Sequence, residues 1–227
     1  MNSTLQDSGL FWPYIKILNF LDGNFKIELC KMINSSAQGF LTDIQIIILY
    51  LFYYSQCGKI VEVGSYKGKS TICALVALDG NEFELYCVDH FMGETEYQAE
   101  NKDADMSKFE GTLDSFKNNL SKHNMLEKVN IQQGSSSDMS KLHKDNTLDI
   151  IFIDGAHDYD SVKLDINVWY PKLKDGGIMF GHDYPSPYDP NGGFEGLRDA
   201  VNENIRDSDR FDKFGFTAGF WGAHKKD

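Results

Sequence analysis

Apolar residues in this chain gather into short unbroken runs that glycines and acids terminate. Ile60, Val61 and Val63 form one run, Glu82-Phe83-Glu84-Leu85-Tyr86-Cys87-Val88-Asp89 a second, and Asp149-Ile150-Ile151-Phe152-Ile153-Asp154 a third. Ile178-Met179-Phe180-Gly181-His182-Asp183-Tyr184 is a fourth, and Val129–Gln133 is a shorter strand pattern. Continuous runs of this length suit strands buried on both faces of a parallel sheet. Between them lie helical patterns. Thr42-Asp43 caps a helix through Ile44, Ile47, Ile48, Leu51 and Tyr54 whose apolar residues cover nearly every face, so deep burial is expected. Thr71–Leu78 reads as a buried helix, and Leu113, Phe116, Leu120 and His123 as another. Val162, Ile166, Trp169 and Leu173 keep helical spacing, with Asp175-Gly176-Gly177 as the stop, and a further helix starts at 196–201. Phe214–Ala223 reads as one or two closing strands, paired as a hairpin. Strands alternating with helices predict an α/β fold. Two polar connections are loops by composition, 90–111 and 184–194, the second with aromatics suited to a substrate pocket.

The stretch Lys59-Ile60-Val61-Glu62-Val63-Gly64-Ser65-Tyr66-Lys67-Gly68-Lys69-Ser70-Thr71 joins strand, glycine turn and helix, the arrangement with which α/β proteins hold nucleotide-like ligands. Two readings compete. Gly64-x-x-x-Gly68-Lys69-Ser70 is one residue short of a phosphate-binding loop, and Asp149–Asp154 imitates the magnesium-binding strand of such enzymes. Glu62 opposes an anion there. The other reading is a nucleoside without phosphate. Asp89, 21 positions after Gly68, then stands where α/β folds hold a ribose diol.

With Asp89, the string Val61–Ser70 resembles the cofactor site of class I S-adenosylmethionine-dependent methyltransferases. More narrowly it is similar to the catechol O-methyltransferase-like group and to relatives that methylate sugar hydroxyls of natural products. The resemblance implies a three-layer, Rossmann-like α/β fold with a mostly parallel seven-stranded sheet and an antiparallel C-terminal strand. It implies S-adenosylmethionine as cofactor, held by Glu62, Gly64, Ser65, Tyr66, Gly68, Ser70, Asp89, His90, Ser136 and Asp154. Glu62 belongs to the methionine amine side, Asp89 to the ribose and Ser136 to the adenine edge.

Two strand ends carrying acids with histidines beside them suggest a divalent-metal site with a base. By resemblance Asp154 and Asp183, joined by His182, hold the metal, and His157 is the catalytic base. Metal coordination polarises a hydroxyl while the base removes its proton. The chain departs from the catechol-type pattern at Tyr184, where an asparagine is expected, and at His182, where sugar-modifying relatives carry an acid. An Asp-His-Asp set shifts preference from magnesium toward a transition metal.

Composition narrows the remainder. A chain of 227 residues, 41% apolar, fits one domain over 1–227, with 1–40 as an N-terminal cap or lid and 41–222 as the core. Cys30, Cys57, Cys73 and Cys87 lack metal-type spacing and read as mostly buried free thiols, which fits a cytoplasmic protein. No run reaches membrane-spanning length and no secretory leader is legible. A net charge of −12 opposes an extended nucleic-acid surface. The expected partner is a small molecule bearing a hydroxyl, sugar or phenolic, and homo-oligomerisation stays open. The leading reading is an O-methyltransferase; a P-loop phosphotransferase and a non-catalytic nucleoside-binding module are the alternatives.

Overall fold

Seven strands form one sheet in the order β3-β2-β1-β4-β5-β7-β6. They are β1 (Gly58–Val63), β2 (Phe83–Asp89), β3 (Val129–Gln133), β4 (Leu148–Ile153), β5 (Leu173–Gly181), β6 (Phe211–Thr217) and β7 (Phe220–Lys225). The structure, a computed structural model, describes residues 9–18, 21–92, 111–185 and 193–227. The first five strands pair in parallel, and β7 enters antiparallel between β5 and β6. This is the expected mostly parallel, Rossmann-like sheet.

Residue parity along the strands makes three layers. Ile150 and Phe152 of β4 join one apolar cluster, while Ile151 and Ile153 join the other. The first cluster is covered by α1 (Trp12–Leu18), α2 (Gly23–Ser36), α3 (Asp43–Tyr54), α4 (Lys69–Ala77) and α5 (Thr112–Ser121). The second is covered by α7 (Tyr159–Trp169) and α8 (Glu195–Val201), and the short α6 (Ser136–Ser140) packs against α7. Helix α3 is nearly engulfed, as its all-round apolar pattern requires. Its start is fixed by Gln45, whose Oε1 accepts from the Thr42 amide at 2.8 Å and the Thr42 hydroxyl at 2.9 Å. The same carboxamide donates to the Ala218 carbonyl, tying α3 to the β6–β7 turn.

Among the described residues, the N-terminal 40 contain the helices α1 and α2. Helix α2 has 14 residues, and Asp22 caps it by accepting the Phe25 amide at 3.0 Å. Its buried face is only Leu29, Cys30, Ile33 and Ser36, too narrow a stripe to stand out in the sequence. Two expectations change. His123 lies beyond α5, which stops at Ser121. Helix α7 ends at Trp169, because Pro171 cannot donate an amide to continue it, and Leu173 already begins β5. Asp175-Gly176-Gly177 is therefore a bulge inside β5 and not a helix stop. Pairing with β4 jumps from Leu148–Leu173 to Ile150–Ile178, and Gly176 takes a φ of +73°.

The connection expected at 90–111 and the aromatic loop at 184–194 fall largely outside the described residues. Cys30, Cys73 and Cys87 are buried and Cys57 is exposed, all of them free thiols. Among the described residues no helix is long and apolar enough to cross a membrane.

Candidate active site

Parallel register brings the chemistry to one rim. Val63 pairs with both Val88 and Ile153, and Ile153 with Gly181, so Gly64, Asp89, Asp154 and His182 leave their strands side by side. Backbone bonds continue past the strand ends: Gly64 donates to Val88 at 2.8 Å, Asp154 to Val63 at 2.8 Å and His182 to Ile153 at 3.2 Å. Carboxyl ends of parallel strands are where open α/β sheets bind ligands.

The glycine turn demands its glycines for definite reasons. Gly64 has a φ of +91°, and a Cβ there would collide with the Asp154 backbone. Gly68 has a φ of +86°, and a Cβ would meet Leu120 at 2.8 Å. Glu62 shares the parity of Ile60 and so faces α4. It is 2% exposed and accepts hydrogen bonds from Ser65 at 3.0 Å, from Ser70 at 2.6 Å and from the Thr71 hydroxyl. Burial drives its carboxyl upward and the three hydroxyls pull it back, leaving a pKa of about 7. Glu62 thus braces the turn from beneath. The hydroxyl protons of Ser65 and Ser70 are spent on it.

Asp89 occupies the neighbouring position. Its Oδ2 accepts from the Tyr66 amide at 2.8 Å and its Oδ1 from the Phe91 amide at 2.5 Å. Tyr66 and Phe91 both sit at positive φ, 45° and 58°. The carboxylate therefore gathers two turns around itself. His90 lies beside it, its Nδ1 accepting from the Met92 amide at 2.9 Å.

The phosphate-loop reading fails on Lys69. In such a loop the lysine reaches over the glycine turn to the phosphates. Here its side chain is buried and donates to the Leu41 carbonyl at 3.0 Å and the Gly39 carbonyl at 3.3 Å. The connector 37–42 is also held by Lys67 donating to Gln38 at 3.0 Å and by Phe40 stacking on Tyr66 at 6.2 Å. Lys69 is structural. A Lys69→Met variant is expected to lose about 1–3 kcal/mol of stability, because the buried Leu41 carbonyl and the half-buried Gly39 carbonyl lose their donor. Chemical denaturation would measure this, and a variant as stable as wild type would count against the clamp.

On the other side of the rim four side chains meet. His182 Nδ1 lies 3.3 Å from Asp183 Oδ1 and 3.5 Å from Asp154 Oδ1, and His157 Nε2 lies 2.9 Å from Asp183 Oδ2. Asp154, His182 and Asp183 can each offer a ligand atom within 4.8 Å of the others. Two carboxylate oxygens and an imidazole nitrogen so disposed fit a divalent cation, and the nitrogen favours a transition metal. His182 is 5% exposed, packed at 4.8 Å against the Phe220 ring. Burial works against its charged form, yet the two carboxylates prevail and raise its pKa to about 10. Burial likewise opposes ionisation of Asp183, but the two histidines hold it below the usual carboxylate range. Asp154 goes the other way, pushed up chiefly by burial.

Ser136 opens α6, with its hydroxyl accepting from Trp169 Nε1 at 2.8 Å. Tyr184, where the catechol-type pattern has an asparagine, turns inward and donates to Asn202 Oδ1 at 2.7 Å. It is a packing residue against Phe214 and Phe216. One neighbour was not anticipated: Phe194 lies flat on the His157 ring, centroids 4.1 Å apart and planes at 15°. Nothing in the sequence pairs positions 157 and 194. The Phe194 amide bonding to the Asp183 carbonyl at 3.2 Å brings them together.

A family model described as a methyltransferase domain matches residues 61–184, which run from β1 through Tyr184. Solved structures of like fold include the O-methyltransferase NovP, at 21% identity over 75% of this chain and 72% of that one, with a TM-score of 0.55. An O-methyltransferase from Bacillus cereus in complex with SAH is 17% identical over 97% and 99%, with a TM-score of 0.59. The O-methyltransferase TomG from Streptomyces achromogenes, in complex with SAM, is 14% identical and covered fully in both directions, with a TM-score of 0.60.

Proposed function

Because this chain belongs to the methyltransferase domain family, we propose that it transfers the methyl group of S-adenosylmethionine to a hydroxyl of a small molecule, sugar or phenolic in type, beside a divalent metal. The observation that carries this is the cluster of Asp154, His182, Asp183 and His157 next to the Asp89 and glycine-turn site. Like-folded O-methyltransferases in complex with SAM or SAH support the choice of cofactor.

In this reading Asp89 exchanges amide partners for ribose hydroxyls, and the backbone of Gly64, Ser65, Tyr66, Gly68 and Ser70 lines the methionine side. Glu62 acts indirectly, through the hydroxyls it collects. His90 flanks the ribose and Ser136 the adenine edge. Asp154, His182 and Asp183 would hold the metal. The metal would supply Lewis acidity to the acceptor hydroxyl and S-adenosylmethionine an electrophilic methyl group. His157 receives the acceptor's proton, and Asp183, 2.9 Å from its Nε2, stabilises the imidazolium that results. The acceptor oxygen forms its bond to the methyl carbon as the carbon–sulfur bond breaks, and the departing thioether keeps that electron pair. The acidic rim also disfavours a phosphorylated ligand. Residues 41–222 serve as the core and 1–40 as its cap, with Leu10 and Phe11 packed at Gly222 of β7.

Calorimetry with S-adenosylmethionine, followed by methyl transfer to sugar and phenol acceptors with and without a chelator, tests the proposal. The cofactor should bind with or without chelator. Transfer should fall about a hundredfold or more when the metal is removed, since Lewis-acid stabilisation is worth several kcal/mol. A wild-type protein that binds neither S-adenosylmethionine nor its product would overturn the reading. Binding without transfer to any acceptor would favour the non-catalytic module.

A further inference from the structure

His157 stands on the connection 154–158 between β4 and α7, where no regular element fixes its side chain. Two of its contacts come from the segment that follows β5. Asp183 Oδ2 lies 2.9 Å from its Nε2, and the Phe194 ring lies flat on the imidazole, centroids 4.1 Å apart and planes at 15°. The two contacts restrain different motions. A hydrogen bond at one ring nitrogen fixes where that nitrogen is but lets the ring tilt about it. The outer torsion of a histidine is a broad, shallow well, so the ring plane needs an external stop. An aromatic ring lying flat on one face supplies it.

Phe194 is itself held by backbone. Its amide donates to the Asp183 carbonyl at 3.2 Å, and its carbonyl accepts from the Arg198 amide at 2.9 Å as α8 begins. Gly196 allows that first turn to lie directly on the chain around His157. A Cβ on Gly196 would stand 2.9 Å from the Tyr159 nitrogen and 3.3 Å from the His157 carbonyl oxygen. The ring is nonetheless 45% exposed. An aromatic left so far in water gains little from burial, so packing alone is a poor account of its place over the imidazole.

We propose that Phe194 is a positioning residue, which holds the His157 ring in the plane from which it takes the acceptor's proton. Asp183 and Phe194, the two ends of one segment, then aim the base together. The inference rests on the methyl-transfer reading above. Proton transfer requires the base within hydrogen-bond reach and correctly aligned, so a ring free to tilt spends less time competent.

The test measures methyl transfer to the phenol and sugar acceptors named above, with Phe194 varied alone and together with His157. Phe194→Ala should lower kcat by about three- to tenfold, the range that a stacked aromatic pair is worth. Its affinity for S-adenosylhomocysteine should stay that of wild type. Phe194→Leu keeps the apolar cover without the flat face and should match alanine, whereas Phe194→Tyr should recover most of the rate. In a His157→Ala background, Phe194→Ala should cost no further kcat. An equal loss with and without His157 would mean that the ring acts on the acceptor directly, and it would overturn the proposal. So would an undiminished kcat in Phe194→Ala, or a leucine variant as fast as wild type, the mark of a merely structural role. Proton NMR gives a reading independent of activity: the His157 ring signals, identified by their loss in His157→Ala, should move downfield when the Phe194 ring is removed. Unmoved signals would overturn the proposal whatever the rates. A wild type that methylates no acceptor removes the methyl-transfer reading and this inference with it; transfer that is indifferent to Phe194 removes the inference alone.

Discussion

Replacing His157 by alanine is expected to lower kcat by about 10²–10⁴-fold while leaving cofactor affinity unchanged. A hydroxyl does not give up its proton at neutral pH without a base, and His157 is the imidazole that faces the cluster, 2.9 Å from Asp183. The two carboxylates at Asp154 and Asp183 lie nearby but are engaged with His182. Steady-state rates give the loss, and calorimetry with S-adenosylhomocysteine separates chemistry from binding. Added imidazole should restore part of the rate, because the vacated space lies beneath the exposed Phe194 ring. A fall in rate that merely tracks a fall in cofactor affinity would make His157 a structural residue.

Asp89→Ala should weaken cofactor binding by about a hundredfold or more. A carboxylate accepting two ribose hydroxyls makes two charge-assisted hydrogen bonds, each worth about 1.5–3 kcal/mol. The same carboxylate now draws in the amides of Tyr66 and Phe91, both at positive φ. Its removal leaves those turns free to relax toward ordinary backbone. Asp89→Asn keeps one acceptor oxygen, so its affinity should fall between wild type and alanine. Calorimetry distinguishes the three proteins. Equal affinity across the series would remove Asp89 from the ribose site.

The sheet was legible because its central strands are buried on both sides. Continuous runs such as Ile150–Ile153 have no other economical reading, and they put Asp89, Asp154 and His182-Asp183 at strand ends before any coordinates. Side-chain direction was less legible. The partner of Glu62 is open in the sequence, and strand parity turns the side chain toward α4, where three hydroxyls occupy it. Lys69 stands next to the turn in sequence but extends away from it, a choice dictated by the carbonyls of a connector 28 to 30 residues earlier. Leu173 preserves helical spacing and is fully buried, so its apolar signal was read correctly and its element wrongly. The proline two residues before it was the decisive sign. Phe194 reaches His157 through tertiary folding that no local pattern encodes.

The placement of β7 has a consequence for the order of assembly on the ribosome. Strands β1 to β5 and their helices can collapse as they emerge, but β5 keeps one open edge until residues 220–225 arrive to pair with it. That strand also brings Phe220 against His182 and the fully buried Trp221 into the core. A nascent chain halted between β5 and β7 thus carries an unpaired, apolar sheet edge, a surface open to sticking to its neighbours. The same halted chain would lack the wall behind His182, so synthesis through β7 comes before a finished rim.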